Sequence, residues 1–482
     1  MKVVEWIRNM PRSVKASFSF LLASVISSGI AYLSTPIYTR LLTPEEYGQV
    51  DIYFSTAQIL GIVAMFSLSS GIFNNGMIDY PDKRDAFSLS MLFLSNTITI
   101  CFSFVLIATY SFWREYSKLD FKLIVLMLTV FLFQPAYNFW TARQKYELKY
   151  KWTLIWSSVL ALISPLCAVF CLLNDVGSNH VYDRLFGSQV PLIVLYSLFY
   201  FFLFRKAKWK IDTSYWKTAF LFNLPLIPHY LSTYVLASSD RLMISYLISD
   251  SATAYYSVAY SVAGIAMIIW SAINSVLIPF TYENCKAKNY KSISRITILL
   301  LLAFGIVCVT VSLFAPEVVS IMATPEYLEA IYVIPPVIAG VFFQVQYFIY
   351  ANIIFYYKKP RYVMYGSITS AVVNVILNIF FIRWLGYIGA AYTTLFCYAL
   401  QALIDYWVMR KVLGFSIYNS RLLLLLSGTV LLAVFSCILI YPRIIVRYSI
   451  IALIVLACII FRKRILSLIP LLKKTRSIGA VK

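Results

Sequence analysis

Residues 224–264 read LPLIPHYLSTYVLASSDRLMISYLISDSATAYYSVAYSVAG, two apolar helices joined by a tight polar turn. The first contains Pro225 and Pro228. Each removes a backbone donor and bends the rod, which a bilayer tolerates only where the freed carbonyls face protein or a wet cavity. At 100° per residue His229 and Asp240 lie only about 20° apart, with Ser232 and Thr233 on the same side. The helix therefore carries a polar stripe on an otherwise greasy surface.

The rest of the chain shares that character. Of its 482 residues 61% are hydrophobic and 13% charged, and the mean hydropathy is +0.78. A water-soluble globule holds about 25% charged residues. The composition specifies an all-α polytopic membrane protein. Apolar runs able to cross a hydrocarbon core of about 30 Å fall at 17–38, 52–74, 87–110, 121–141, 152–174 and 188–204. Further runs lie at 218–247, 254–280, 296–314, 331–355, 363–382, 388–409, 422–441 and 445–461. Fourteen transmembrane helices are thus expected, as two parallel six-helix lobes plus two C-terminal helices. The expected segments are a cytoplasmic N-terminus at 1–16, an N-lobe at 17–204, a cytoplasmic linker at 205–217 and a C-lobe at 218–409. Helices thirteen and fourteen follow within 410–461, then a basic cytoplasmic tail at 462–482.

Charge orients the chain. With both termini inside, 32 of the 41 Lys and Arg residues fall in inner segments, 8 fall outside and Arg241 lies within a span. That asymmetry places both termini in the cytoplasm. The net charge of +21 is then a topology signal and an attraction to anionic lipid headgroups. No aromatic residues interleave it into a nucleic-acid-binding surface. The eight Cys stand singly in apolar runs, apart from Cys285 in an inner loop, so neither a metal site nor a disulfide framework is expected, and no cofactor. The opening MKVVEWIRNMPRSVKASF lacks the short apolar segment and small-residue cleavage site of a signal peptide, and is expected to lead into an uncleaved first helix.

Polar faces recur along both halves. The first helix lines up Ser17, Ser24, Ser28, Ala31, Thr35 and Tyr38; the second Asp51, Ser55, Gln58 and Ser69; the fourth Gln134, Asn138, Thr141 and Lys145. In the second half the eighth helix carries Tyr256, Tyr260, Ser271 and Asn274, the eleventh Ser370, Asn374 and Asn378, and the twelfth Thr394, Tyr398, Gln401 and Asp405. Small residues also serve close helix packing. Amides buried in hydrocarbon without partners are costly, however, so converging stripes imply a polar lumen. The runs at 422–441 and 445–461 have no sustained polar face and are expected against lipid. Thr39-Arg40-Leu41-Leu42 followed by a turn and YGQVDIY is echoed by Asp240-Arg241-Leu242-Met243 followed by a turn and YYSVAY. Six spans intervene, so the two helix pairs share one membrane sense, the signature of parallel repeats.

The motifs RLLTPEEYGQVDIY at 40–53, LPLIPHYLSTYVLASSDRLMI at 224–244, YYSVAYSV at 255–262 and LGYIGAAYTTL at 385–395 sample both halves. In them the chain resembles a Wzx-type polysaccharide flippase of the multidrug/oligosaccharidyl-lipid/polysaccharide exporter superfamily, over about residues 17–409. The resemblance implies alternating-access translocation of an undecaprenyl-diphosphate-linked oligosaccharide, such as an O-antigen repeat unit, from the inner to the outer leaflet of a bacterial cytoplasmic membrane. It also implies a cationic cavity between two lobes, membrane lipids as surroundings, and a polysaccharide polymerase and chain-length machinery as partners.

A lipid-linked sugar presents a diphosphate and many hydroxyls, which call for guanidinium groups on one side and amides, hydroxyls and aromatics on the other. Arg40 and Arg241, at matching places in the repeat, are the diphosphate candidates, with Arg143 and Lys145 at the inner end of the fourth helix as a first capture point. Gln58, Gln134, Asn138, Tyr260, Asn274, Asn374 and Asn378 are the glycan candidates. Asp240 and Asp405, the acids within spans of the second half, together with His229, are candidates for coupling to a proton or a sodium ion. No G-x-x-x-x-G-K-[ST] occurs, so direct ATP use is not expected. A multidrug or cation antiporter of the same superfamily would be expected to carry acids in its first helix, and 17–38 has none. A lipid II flippase stays open as an alternative. A membrane glycosyltransferase or O-antigen polymerase would need a large outer loop or a D-x-D pair, and neither is present.

Overall fold

The computed structural model describes residues 12–177 and 179–460. The expected tail at 462–482 and most of the expected N-terminal segment lie outside these. Every regular element among the described residues is a helix, and the chain is a multi-pass membrane protein with the helical fold expected of it. Eleven described helices are long and apolar enough to cross a membrane. Fourteen spans would also require Pro44–Ala64, Ile227–Leu247 and the shorter Ile444–Ile460.

The chain divides into two compact units, one up to Ala254 and one from Tyr255. The first holds α1 (Arg12–Leu41), α2 (Pro44–Ala64), α3 (Ile72–Asp79), α4 (Arg84–Ala108), α5 (Tyr110–Ser117), α6 (Phe121–Tyr146), α7 (Tyr150–Leu173), α8 (His180–Ala207), α9 (Ser214–Asn223) and α10 (Ile227–Leu247). Local chemistry explains the joint between α1 and α2. Thr43 caps α2 and Glu46 reaches back to the Thr43 amide, closing a capping box, while Pro44 occupies the first turn, where no amide is needed. Gly48 follows because a Cβ there would lie 1.9 Å from the carbonyl oxygen of Asp250. Nearby, Lys118 donates to the Ser245 carbonyl at 2.8 Å and to Asp250 at 2.9 Å, fastening α10 to the turn after α5.

The prolines of residues 224–264 act as their chemistry dictates. Pro225 lies in a 3-10 turn, Leu224–Leu226, and Pro228 lies in the first turn of α10. The chain thus breaks where backbone donors are missing. A second break was not expected. The run at 52–74 reads as one continuous span, yet the helix ends at Ala64 and resumes at Ile72, with Phe66 and Ser67 at φ 55° and 44°. Thr99 donates to the Ala64 carbonyl at 2.9 Å and Ser95 to that of Met65 at 3.3 Å. Asn223, wholly buried, donates to the Phe66 carbonyl at 2.9 Å and accepts from the Ile72 amide at 3.0 Å. Side chains thereby supply what the missing helical turn does not. The packing below is aromatic: Phe66 stacks on Phe220 at 4.8 Å, and Phe73 contacts Phe87 and Phe139. The segment at 205–217 is docked on α4, where the Asp212 amide donates to Ser90 Oγ at 2.8 Å and the Trp216 indole donates to the Ser90 carbonyl at 3.1 Å.

The second unit continues along α11 (Asp250–Lys286), which starts in the first, with α12 (Tyr290–Leu313), α13 (Ala315–Met322), α14 (Ile334–Tyr356), α15 (Pro360–Leu385), α16 (Tyr387–Leu413), α17 (Ser420–Ile440) and α18 (Ile444–Ile460). Helix α14 is its core and is buried along most of its length. Gly340 lets it approach the α16 backbone at Leu395. Helix α17 packs on α12, with Val430 filling the space beside Gly305, and Gln346 of α14 donates to Ser427 at 2.8 Å. The opposite face of α17, at Leu424, Leu432 and Leu439, is exposed, as an apolar face turned to lipid would be.

Candidate functional site

Within the first unit, α1, α2, α6, α7 and α8 line an open cavity of ≈430 Å³, in the range of about 300–1,000 Å³ typical of small-molecule sites. Its wall is rich in hydroxyls although the helices that build it are apolar. Helix α1 contributes Ser27, Ser34, Thr35 and Tyr38; α2 contributes Tyr47 and Asp51; α7 contributes Ser157 and Ser164. Several of these hydroxyls have their proton engaged by the helix backbone. Ser34 donates to the Ile30 carbonyl at 2.7 Å, Thr35 to that of Ala31 at 3.3 Å and Ser157 to that of Leu154 at 3.1 Å. Their oxygens are left to the cavity as acceptors.

One arginine lines this space. The Arg184 guanidinium lies 3.8 Å from the centre of the Tyr38 ring and 5.6 Å from that of Phe54, an arrangement that holds it by cation–π attraction. Its Nη1 is shielded from solvent and has no hydrogen-bond partner among the described residues. The sequence reading missed this residue. With the sixth span set at 188–204, Arg184 falls in an outer loop, but α8 begins at His180, capped by Asn179, and carries Arg184 in its second turn. The available signal was the N-cap Asn179, which marks a helix start eight residues ahead of the apolar run.

The expected site residues take other places. Arg40 is exposed and donates to the Pro36 carbonyl at 2.7 Å; Arg241 is half-buried and donates to that of Ala237 at 3.1 Å. Each of these two arginines thus makes one contact four residues back along its own helix. Gln58 accepts from Ser238 at 2.9 Å, tying α2 to α10. Gln134, Asn138 and His229 are half-buried, Lys145 is exposed and Asp240 is wholly buried. Arg143 is buried and held between Asp85 and Glu147, and Glu147 also pairs with Lys149. Burial would raise the Glu147 carboxyl, but hydrogen bonds from Lys149 and Arg143, with the charges of Arg143 and Lys206, prevail and bring it down to about 2. At neutral pH the Arg143 charge is therefore answered by the Glu147 carboxylate, and Asp85 is paired with the same guanidinium.

In the second unit Asn374 and Asn378 are wholly buried between α15 and α16. The Asn378 amide donates to Asn374 at 3.2 Å, Asn374 donates to Thr394 at 3.4 Å, and Thr393 donates to Asn378. These amides form a ladder that joins the two helices. Tyr260 meets Tyr398 at 3.5 Å, and Asn274 accepts from Asn352 at 2.9 Å. Asp405 is wholly buried beside Gly366, and neither carboxylate oxygen has a hydrogen-bond partner among the described residues. No group of three or more His, Cys, Asp or Glu among the described residues is placed to hold a metal ion.

Comparison with known proteins adds findings of three kinds. The family model described as "Polysaccharide biosynthesis protein" matches residues 13–285, and the MatE model matches residues 225–380. "Lsg locus putative protein 1" of Haemophilus influenzae is 22% identical over 373 residues, covering 75% of this chain and 89% of that protein. Among solved structures, the lipid II flippase MurJ in an inward closed conformation superposes with a TM-score of 0.67 at 13% identity, covering 92% of this chain and 99% of that one. An inward-facing multidrug resistance MATE transporter of the MOP superfamily superposes with a TM-score of 0.60 at 13% identity, covering 82% and 98%. The fold is therefore that of MOP-superfamily transporters.

Proposed function

From the premise that the chain belongs to the polysaccharide biosynthesis protein family, we propose that it translocates an undecaprenyl-diphosphate-linked oligosaccharide from the cytoplasmic to the periplasmic leaflet of a bacterial inner membrane, with both termini in the cytoplasm. The observation that carries this reading is the acceptor-rich, hydroxyl-lined cavity inside an apolar helix bundle. Close helix packing accounts for small residues facing inward but does not require an open space between them, and the sugar O–H groups of a glycan head find acceptors in that space. The polyprenyl tail is as apolar as the bilayer and needs no protein lumen. Arg40 and Arg241, at matched repeat positions, are proposed to meet the diphosphate.

Expression in bacterial strains that each lack one defined glycan flippase tests the reading. Restored surface polysaccharide in at least one strain is the expected result. Extrusion of cationic drugs without any glycan rescue, or rescue confined to a strain lacking its lipid II flippase, would replace it with one of the other superfamily activities.

Coupling to an ion gradient is proposed to run through Asp405. A carboxylate buried without a hydrogen-bond partner is costly to keep charged, so proton uptake and release there would follow changes in its exposure. In proteoliposomes Asp405→Asn is expected to bind substrate while losing the acceleration produced by an imposed proton gradient. Transport by that variant that still follows the gradient would make Asp405 structural.

A further inference from the structure

We propose that the cavity of the first unit is a binding site for a sugar acid, with Arg184 as the anchor of its carboxylate. This deepens the flippase reading, on which it rests, by naming a chemical class of glycan unit. Three observations converge. Arg184 lines the cavity and is only half-buried, while its Nη1 is shielded and has no hydrogen-bond partner among the described residues, so a small turn of the side chain would give a carboxylate a donor that the protein itself leaves unmet. The guanidinium lies 3.8 Å from the centre of the Tyr38 ring, and this cation–π contact restrains the side chain, which lowers the ordering cost when a carboxylate engages its fork. Around it the hydroxyls of Ser34, Thr35 and Ser157 give their protons to backbone carbonyls and offer oxygen acceptors. Acceptors matched to O–H donors, with one cation and the acid Asp51 among them, describe a polyol that bears no more than one negative charge.

Charge decides between a carboxylate and the diphosphate of the lipid carrier. The cavity presents a single cation, and Asp51 lines the same space. A diphosphate would bring two or more negative charges to one guanidinium and one acid. A sugar carboxylate brings one, and Asp51 remains an acceptor for ring hydroxyls while competing for the guanidinium. Asp51 therefore sets an upper bound on affinity, which suits a carrier that must release its load.

The test uses the full chain in lipid nanodiscs, with calorimetric titration of glucuronate, glucose and pyrophosphate. Glucuronate is expected to bind saturably and more tightly than either of the others. Arg184→Ala should weaken it by at least about tenfold, Arg184→Lys should recover part of the loss, and Asp51→Asn should tighten it. Glucose binding as tightly as glucuronate, an Arg184→Ala variant that binds unchanged, or pyrophosphate out-competing glucuronate would each overturn the proposal. Should Arg184→Ala fail to elute as a folded species, the three-ligand comparison on the wild-type chain and the Arg184→Lys variant decides. Rescue of export in a strain with a neutral repeat unit is scored separately, so that a site without preference for acids sinks this inference and leaves the flippase reading standing.

Discussion

Replacing Asn223 with leucine is expected to destabilise the first unit by about 2–6 kcal/mol, since it strands two buried backbone groups at about 1–3 kcal/mol each. The Phe66 carbonyl loses its donor and the Ile72 amide loses its acceptor, both at the unwound segment between α2 and α3. Neither can turn to water inside the bundle, and the left-handed residues Phe66 and Ser67 are held there by those same contacts. Thermal unfolding in detergent should show a clear fall in the midpoint. A control at Thr233, an exposed hydroxyl on α10, should leave it in place. An unchanged midpoint for Asn223→Leu would mean that the segment finds other partners.

Arg143→Ala is expected to cost about 3 kcal/mol, within the usual range for removing one member of a buried charge cluster and lowered because Asp85 is partly exposed. Among the described residues it leaves Glu147 paired with Lys149, with the charge of Lys206 nearby, and Asp85 with Lys206 at 3.9 Å. Arg143→Lys should recover only part, because an ammonium cannot present a planar fork to two carboxylates. The same cluster predicts a pH dependence. Glu147 is held at about 2 in the folded chain, below its ordinary 4.5, so its contribution is complete above about 4.5 and is lost as pH falls toward about 2. Unfolding midpoints measured from pH 7 downward should drop more steeply in this window for the wild-type chain than for Glu147→Gln. Parallel curves would remove Glu147 from the acid response.

These two residues mark where reading the chain alone runs out. Pro225, Pro228 and the Thr43–Glu46 capping box act within a few residues of themselves, and their effects follow from local backbone chemistry. The apolar periodicity of the helices and the inward bias of Lys and Arg are likewise local sums. Asn223 and Arg143 act through partners far away in the chain, Phe66 and Asp85, and no spacing rule brings those together. Arg184 was missed for another reason. Hydropathy defines a span by its greasiest stretch, and a helix that begins eight residues earlier with His180, Asp183 and Arg184 looks like loop to such a window. The paired amides of Asn374 and Asn378 were visible as a stripe, but a stripe does not say whether a face meets a lumen or a neighbouring helix.

The placement of Asn223 bears on how such chains can be recombined. The basic segment at 205–217 is where the sequence alone invites a division, yet Asn223, Ser238 and Asp250, all beyond that point, plug, bond and latch the helices before it, and the compact unit closes only at Ala254. A chimera of two relatives spliced within 205–217 would ask the unwound segment of one parent to accept the plug of another. Splicing after Ala254 keeps lock and key from the same parent, so crossovers recovered from a library of family-shuffled genes should cluster near that later seam.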